Sequence, residues 1–298
     1  MVGRRPRATG LLGWRPRLRM PELPEVERAR RLIERLAVGH RIVQVRCADD
    51  EIVFAGVTPG AMTRALTGRV VVASRRRGKQ LWWELDQRPW PLFHFGMTGQ
   101  FVTPAADPLR LRAHGQRALD RSWPPRFWKI QLELDDGTAL AMTNARRLGR
   151  IRLQHDPEHE LPIASLGFDP LYELPAADAF AAELRRRKGV LKAVLLDQGF
   201  AAGIGNWMAD EILYQAKIDP RRRGTDLGLA EARRIHAKLA EVVEIACAVD
   251  ADKERFPNSW LFHHRWGKNV AARTAKGEAI VHIELGGRTT AWVPTVQK

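Results

Sequence analysis

The apolar positions along the chain follow two different periods. From Pro24 onward, Val26, Ala29, Ile33 and Leu36 fall at helical spacing and form one stripe. Pro suits a first helical position, and Glu25 and Glu27 then sit in the first turn, where carboxylates favour the helix dipole. Short alternating stretches follow at Arg41–Arg46, Glu51–Phe54, Val70–Ala73, Leu81–Leu85 and Leu92–Phe95. Lys129–Leu134 alternates strictly, turns at Asp135-Asp136-Gly137 and continues through Thr138–Met142, and Ile151–Leu153 closes the set. Short strands separated by turn signals predict an antiparallel sandwich or barrel. Helical spacing returns in Ala176–Arg187, Val190–Leu196, Trp207–Ala216 and Leu229–Ala248. Finally Ala279–Leu285 alternates, Gly286-Gly287 makes a two-residue hairpin turn, and Thr289–Val293 runs back.

The pattern is α+β: a β-rich domain over residues 20–155, a Pro- and acid-rich linker over 156–175, a helical domain over 176–250 and a hairpin unit over 256–298. A chain of 298 residues is long enough for two separate cores. Its net charge of +15 points to a polyanionic partner, nucleic acid ahead of an anionic membrane surface. No run approaches the roughly 18 apolar residues of a spanning helix. With only Cys47 and Cys247, there is neither a disulfide framework nor a four-cysteine zinc site, and a reducing, intracellular setting is expected. Residues 1–19 stand apart, with six arginines and no acid; without them the charge is +9. They read as a basic tail, a translated upstream region or an organelle presequence.

Several short motifs carry candidate chemistry. If Met20 were the working start and were removed, Pro21 would present a secondary amine beside Glu22. An amine next to an acid suits Schiff-base chemistry on a sugar carbon, whereas the plain alternative is an ordinary helix start. Arg75-Arg76-Arg77-Gly78-Lys79 reads as a solvated basic loop or as a phosphate-binding turn. Gly203-Ile204-Gly205-Asn206-Trp207 offers either helix-start amides for a phosphate or a turn capped by Asn206. Arg288, at the hairpin tip, is an exposed cation or a phosphate ligand. Met97 and Leu148 read as core residues or as wedges for a gap in a base stack, with Arg146 facing the unpaired base. His94, between two Phe residues, reads as a structural strand histidine. Lys188 follows an arginine run at a helix end, which favours cations whatever their function. No histidine or cysteine spacing suggests a metal.

Taken together, these residues resemble the formamidopyrimidine-DNA glycosylase/endonuclease VIII family. The resemblance spans about residues 20–298 and rests on Pro21-Glu22-Leu23-Pro24-Glu25-Val26-Glu27, Arg77-Gly78-Lys79, His94–Gly99, Arg146-Arg147, Asp197–Pro220 and Gly287-Arg288-Thr289. The wording of Leu196–Glu211 and of Gly286–Gln297 is most similar to plant-type members and their zincless bacterial relatives.

The resemblance implies a β-sandwich with flanking helices, a helix–two-turn–helix module and a C-terminal finger, with damaged double-stranded DNA in the cleft between them. It implies a monomer acting without cofactor. Pro21 would be the nucleophile at the sugar C1′, Glu22 the proton carrier and Lys79 a helper at the sugar and phosphate. Asn206, Arg288 and Lys188 would grip phosphates, His94 would lie at the DNA, and Met97, Arg146 and Leu148 would fill the space left by a flipped nucleotide. The outcome would be release of oxidised purines (formamidopyrimidines, 8-oxoguanine or its oxidation products), then β,δ-elimination through an iminium. An oxidised-pyrimidine substrate or a non-catalytic binder are the alternatives. Either a bacterial cytoplasm, at the nucleoid, or a eukaryotic nucleus fits.

Three departures from the family pattern stand out. The finger lacks the usual four zinc-binding cysteines, so a zincless hairpin is expected. Leu148 stands where Phe is common, which weakens stacking on the opposite base. Nineteen residues precede Met20, and an amide nitrogen at Pro21 is not nucleophilic, so removal of this leader is expected.

Overall fold

The computed structural model describes residues 20–104, 122–266 and 271–298, so the expectation for the leader at 1–19 lies outside the described residues. Helix α1 (Leu23–Leu36) begins one residue before Pro24. The Glu25 carboxylate reaches back to accept a hydrogen bond from the Glu22 N–H at 3.0 Å, which fixes the start of the helix. Its buried face, Val26, Ala29 and Ile33, joins the core of the β-rich domain.

That domain contains two four-stranded antiparallel sheets. The strands are β1 (Ile42–Cys47), β2 (Val71–Arg77), β3 (Gln80–Leu85), β4 (Trp90–His94), β5 (Gln100–Val102), β6 (Trp128–Leu134), β7 (Ala139–Thr143) and β8 (Arg150–Gln154). One sheet has the order β1-β6-β7-β5, the other β2-β3-β4-β8. Their inner faces meet at aromatic rings: Trp83 and Phe93 from one sheet lie 5.3 and 5.1 Å from Phe101 of the other.

Three local departures from the expected pattern have physical causes. Glu51–Phe54 is a turn, because the Asp50 carboxylate accepts from the Val53 N–H at 3.2 Å and closes it. Helix α2 (Pro59–Leu66) was not expected, since eight residues are too few to establish a helical period; Thr58 caps it by accepting from the Ala61 N–H, and Pro59 opens it. The run Arg75–Arg77 is not a solvated turn but the end of β2, and all three guanidinium groups are paired. Arg75 meets Glu84 at 3.0 Å and Arg77 meets Glu173 at 2.9 Å, while Arg76 is buried. Of the four cations, only Lys79 lies in the turn itself.

The C-terminal half holds α3 (Ala177–Arg186), α4 (Leu191–Leu196), α5 (Asn206–Ala216) and α6 (Leu229–Ala248), then a hairpin of β9 (Val281–Leu285) and β10 (Arg288–Trp292). Nearly every residue of α5 is buried, and Trp207 packs against Phe256 and Phe262 at 5.5 and 5.1 Å. Gly286 and Gly287 both have left-handed φ, +56° and +68°, as a type I′ hairpin turn requires.

The two halves are joined by buried charge. Glu27 accepts from Arg76 at 2.9 Å and from the Tyr172 hydroxyl at 2.8 Å. Arg76 donates in turn to Asp169 at 2.6 Å, and Asp169 also accepts from the Gly78 N–H at 2.7 Å. Asp169 lies in the 156–175 segment, so this segment is tied to β2 and to the turn that carries Lys79. Removing one partner of a fully buried pair strands the other charge. Asp169→Ala is therefore expected to cost about 3–5 kcal/mol, read as a lower urea midpoint at unchanged slope; an unchanged midpoint would show that the joint is dispensable.

Candidate active site

Pro21 and Glu22 lie where the start of α1 meets the turn between α4 and α5, and both are buried. The Leu23 N–H donates to the Gly203 carbonyl at 3.1 Å. The Glu22 carboxylate crosses to α5: Oε1 accepts from the Trp207 N–H at 3.0 Å and Oε2 from the Met208 N–H at 3.1 Å. A carboxylate on the open amides of a helix start is favoured by hydrogen bonding and by the dipole. The cap of the Gly203–Trp207 turn is therefore not the one expected. Asn206 is not the cap, and these two amides serve Glu22 rather than a phosphate.

Glycine makes this approach possible. A Cβ on Gly205 would lie 2.2 Å from the Glu22 Cδ. Gly78 and Gly203, with φ of +56° and +95°, face each other, and a Cβ on Gly78 would stand 2.9 Å from the Gly203 N. The start of α1, the β2–β3 turn and the α4–α5 turn thus meet backbone to backbone.

This junction positions Lys79, which follows Gly78 and donates from Nζ to the Ile204 carbonyl at 3.1 Å. Burial holds the Lys79 ammonium below its ordinary value; Glu22 and Glu25 pull the other way, and Arg288 adds to the depression. Arg288, exposed at the start of β10, therefore acts on the same place from the hairpin. Asn206 donates from Nδ2 to the Thr289 carbonyl at 2.9 Å, so it too faces the hairpin. His94 is paired with Gln80 across β3–β4, and its Nδ1 accepts from the Gly96 N–H at 3.3 Å. Burial, then the charges of Lys79, Arg152 and Arg150, push its pKa down to about 4, so the ring is neutral at pH 7. Lys188 is exposed between α3 and α4, and among the described residues no contact ties it to the cluster.

A second group forms beside the first. Arg146 lies 3.1 Å from the Met97 sulfur, and Leu148 is 42% exposed rather than part of the core. Gly96, with φ +58°, presses on Leu148: a Cβ there would lie 2.3 Å from the Leu148 carbonyl carbon. Two residues that were not singled out in the sequence hold this loop. Buried Asn144 donates to the Phe95 carbonyl at 2.8 Å and accepts from the Leu148 and Gly149 N–H groups at 3.0 and 3.2 Å. Asp50 accepts from Arg147 Nε and from Lys129 Nζ, at 3.0 and 2.6 Å, and so anchors a residue whose φ is +55°. An Asn at a strand end before a Gly is a turn signal that sequence can supply. The Asp50 contact joins residues 97 positions apart and leaves no such mark.

Only one group of potential metal ligands occurs among the described residues, His40 with Asp135 and Asp136. His40 Nδ1 pairs with Asp135 at 2.9 Å, at the far end of β7 from the Arg146 loop.

Two outcomes follow from this geometry. Gly205→Ala must displace Glu22 from α5; a loss of about 1–3 kcal/mol in thermal or urea unfolding is expected. Burial alone would raise the Asp50 carboxyl, but hydrogen bonds from Arg147 and Lys129 outweigh it and hold it down at about 2, against an ordinary 3.8. Its contribution is therefore present above the unfolded value and lost as pH falls through the folded one. Asp50→Asn should reduce stability near pH 7 by about 2 kcal/mol, with the difference from the parent vanishing near pH 2.

Known proteins share both the sequence and the architecture. The family model for the formamidopyrimidine-DNA glycosylase N-terminal domain matches residues 20–151, and that for the formamidopyrimidine-DNA glycosylase H2TH domain matches 166–258. The formamidopyrimidine-DNA glycosylase of Arabidopsis thaliana is 42% identical over 279 residues, covering 94% of this chain and 71% of its own. That of Paracoccus denitrificans is 32% identical over 94% of this chain and its own full length. The Lactococcus lactis enzyme, in a crystal structure non-covalently bound to DNA containing an AP site, superposes with a TM-score of 0.75 at 23% identity, covering 93% of this chain and 99% of its own. Sequence and architecture agree that this chain belongs to the formamidopyrimidine-DNA glycosylase family.

Proposed function

We propose that the chain is a bifunctional DNA glycosylase and abasic-site lyase of base-excision repair, with Pro21 as nucleophile. The observation that carries this reading is the meeting of Pro21-Glu22, Lys79 and Arg288 at one junction between the two halves, brought together from three distant segments. A protein that only grips DNA has no use for an amine, an acid and a depressed lysine at one point. Solved relatives support the choice of DNA partner: the Lactococcus lactis protein is bound to DNA with an AP site, and a further one is in complex with DNA containing carbocyclic 8-oxo-G.

In this reading the Pro21 nitrogen forms a bond to the sugar C1′ as the bond from C1′ to the damaged base breaks. The base leaves with the electron pair and a proton. Glu22, held by the Trp207 and Met208 amides, has a fixed position from which to move that proton. The sugar ring then opens: the C1′–O4′ bond breaks, O4′ takes a proton, and an iminium is left between the Pro21 nitrogen and C1′. It acidifies C2′; loss of a proton there expels the 3′ phosphate, and a second elimination releases the 5′ side. Lys79, held below its ordinary pKa, is suited to exchange protons beside the sugar. Asn206 and Arg288 grip the flanking phosphates: one Asn206 N–H is taken by Thr289, the other is left for a phosphate oxygen, and the Arg288 side chain is exposed. Lys188 adds a phosphate contact. His94, neutral, lines the site, and Met97, Arg146 and Leu148 occupy the space of the flipped nucleotide. The substrates are oxidised purines in double-stranded DNA, and the working form is a monomer without a cofactor, whether in a bacterial cytoplasm or a eukaryotic nucleus.

The mechanism requires a free amine at residue 21. A chain beginning at Pro21 is expected to give a borohydride-trapped covalent species with abasic-site DNA and to nick it. The full 298-residue chain, if it keeps residues 1–20, should do neither, and equal trapping by both forms would refute Pro21 as nucleophile. Glu22→Gln in the shorter chain should lower base release by about 10²–10⁴-fold.

A further inference from the structure

The finger of this chain has to be fastened without thiolates. The two cysteines lie in β1 and α6, and among the described residues the hairpin holds no group of metal ligands. A four-cysteine site therefore does not fit these residues. A two-stranded hairpin is marginal by itself in water, so its position must come from what it touches.

What it touches is a buried ionic junction on α5. Asp210, one turn into the helix, is almost fully buried. Its Oδ2 accepts from the Ala291 N–H of β10 at 3.0 Å and from Arg265 Nε at 3.0 Å. Its Oδ1 accepts from Lys192 Nζ of α4 at 2.5 Å, and Lys192 donates as well to the Asn206 carbonyl at 2.7 Å. Asn206 completes the circuit through its side chain, which donates to Thr289. The hairpin tip rests on the same helix as Lys192, since a Cβ on Gly286 would lie 3.1 Å from the Ala193 Cβ. On the other strand, His282 Nε2 lies 3.1 Å from the Arg265 carbonyl.

We infer that Asp210 is a positioning residue that sets the finger in register with α5, and so sets Arg288 opposite Asn206. It touches no substrate; it acts through β10. The ladder between β9 and β10 fixes Arg288 relative to Ala291, and Ala291 is fixed to α5 by Asp210. Residue 206 starts the helix and residue 210 lies one turn along the same face, so both ends of the phosphate grip share one rigid ruler. The carboxylate is suited to the task because one group can accept from a backbone amide, a guanidinium and an ammonium together. The inference rests on the proposed phosphate roles of Asn206 and Arg288.

The test is Asp210→Asn, which keeps the shape of the side chain but loses its charge and part of its accepting capacity. In the chain beginning at Pro21, KM for abasic-site duplex is expected to rise about tenfold, with kcat within about twofold. Amide hydrogen exchange in residues 281–292, read at Ala291, should accelerate about tenfold or more while α6 keeps its protection. A fall in kcat at unchanged KM, or faster exchange spread evenly over α5 and α6, would mean general destabilisation and overturn the inference. So would parental KM and parental hairpin exchange. If the parent chain fails to trap abasic DNA, the reading of Pro21 fails, and the exchange comparison still decides whether Asp210 holds the finger.

Discussion

One carboxylate on one helix start is the constraint on which the site depends. Glu22 ends the chain segment that precedes α1, yet its oxygens satisfy two amides at the start of α5, which belongs to the other half of the molecule. The first amides of a helix generally lack an intrahelical acceptor, and Glu22 supplies one to two of them in a buried setting. The contact tolerates no Cβ at Gly205, so the backbone of one half touches the side chain of the other with no room to spare. Lys79 is then referenced to the residue before Gly205, through the Ile204 carbonyl, and Asn206 is the residue after it.

Around this contact the joint is ionic rather than greasy. Glu27, Arg76 and Asp169 are all buried, and each finds several partners. Burying such charges is costly unless every one is paired, and apolar side chains of similar size are often as stable. Directional bonds nonetheless fix orientation in a way that apolar contact does not. The turn that fixes Lys79 against the Ile204 carbonyl gains from that directionality. The same choice recurs at the finger, where Lys192, Asp210 and Arg265 meet without solvent.

Much of the architecture was legible because it is written in local periods. The alternation of Lys129–Leu134 and Thr138–Met142 around Asp135-Asp136-Gly137 marks β6 and β7, and the Gly286-Gly287 turn marks the finger. The motif residues around Pro21, Lys79, Asn206 and Arg288 were also visible, since each stands in a short recognisable string. What could not be read was charge that points inward. Arg76 sits in a run of three arginines that looks like a solvated surface, and its partners are 49 and 93 residues away. Asp50, Asp169 and Asp210 are ordinary acids in their own neighbourhoods, and only the folded chain reveals what they accept. Glu51–Phe54 failed for a related reason: the apolar residues Ile52, Val53 and Phe54 suggested a strand, and a side chain upstream had already closed the backbone into a turn.

The double employment of Glu22 has an evolutionary corollary. In many enzymes a reactive acid is a luxury of the scaffold, and a duplicate gene can lose it and persist as an inert look-alike. Here the acid proposed to move the proton also seals the seam between halves, so purifying selection on shape alone would preserve it. A descendant that abandoned repair and kept only its hold on nucleic acid would first need some other group to seal the start of α5.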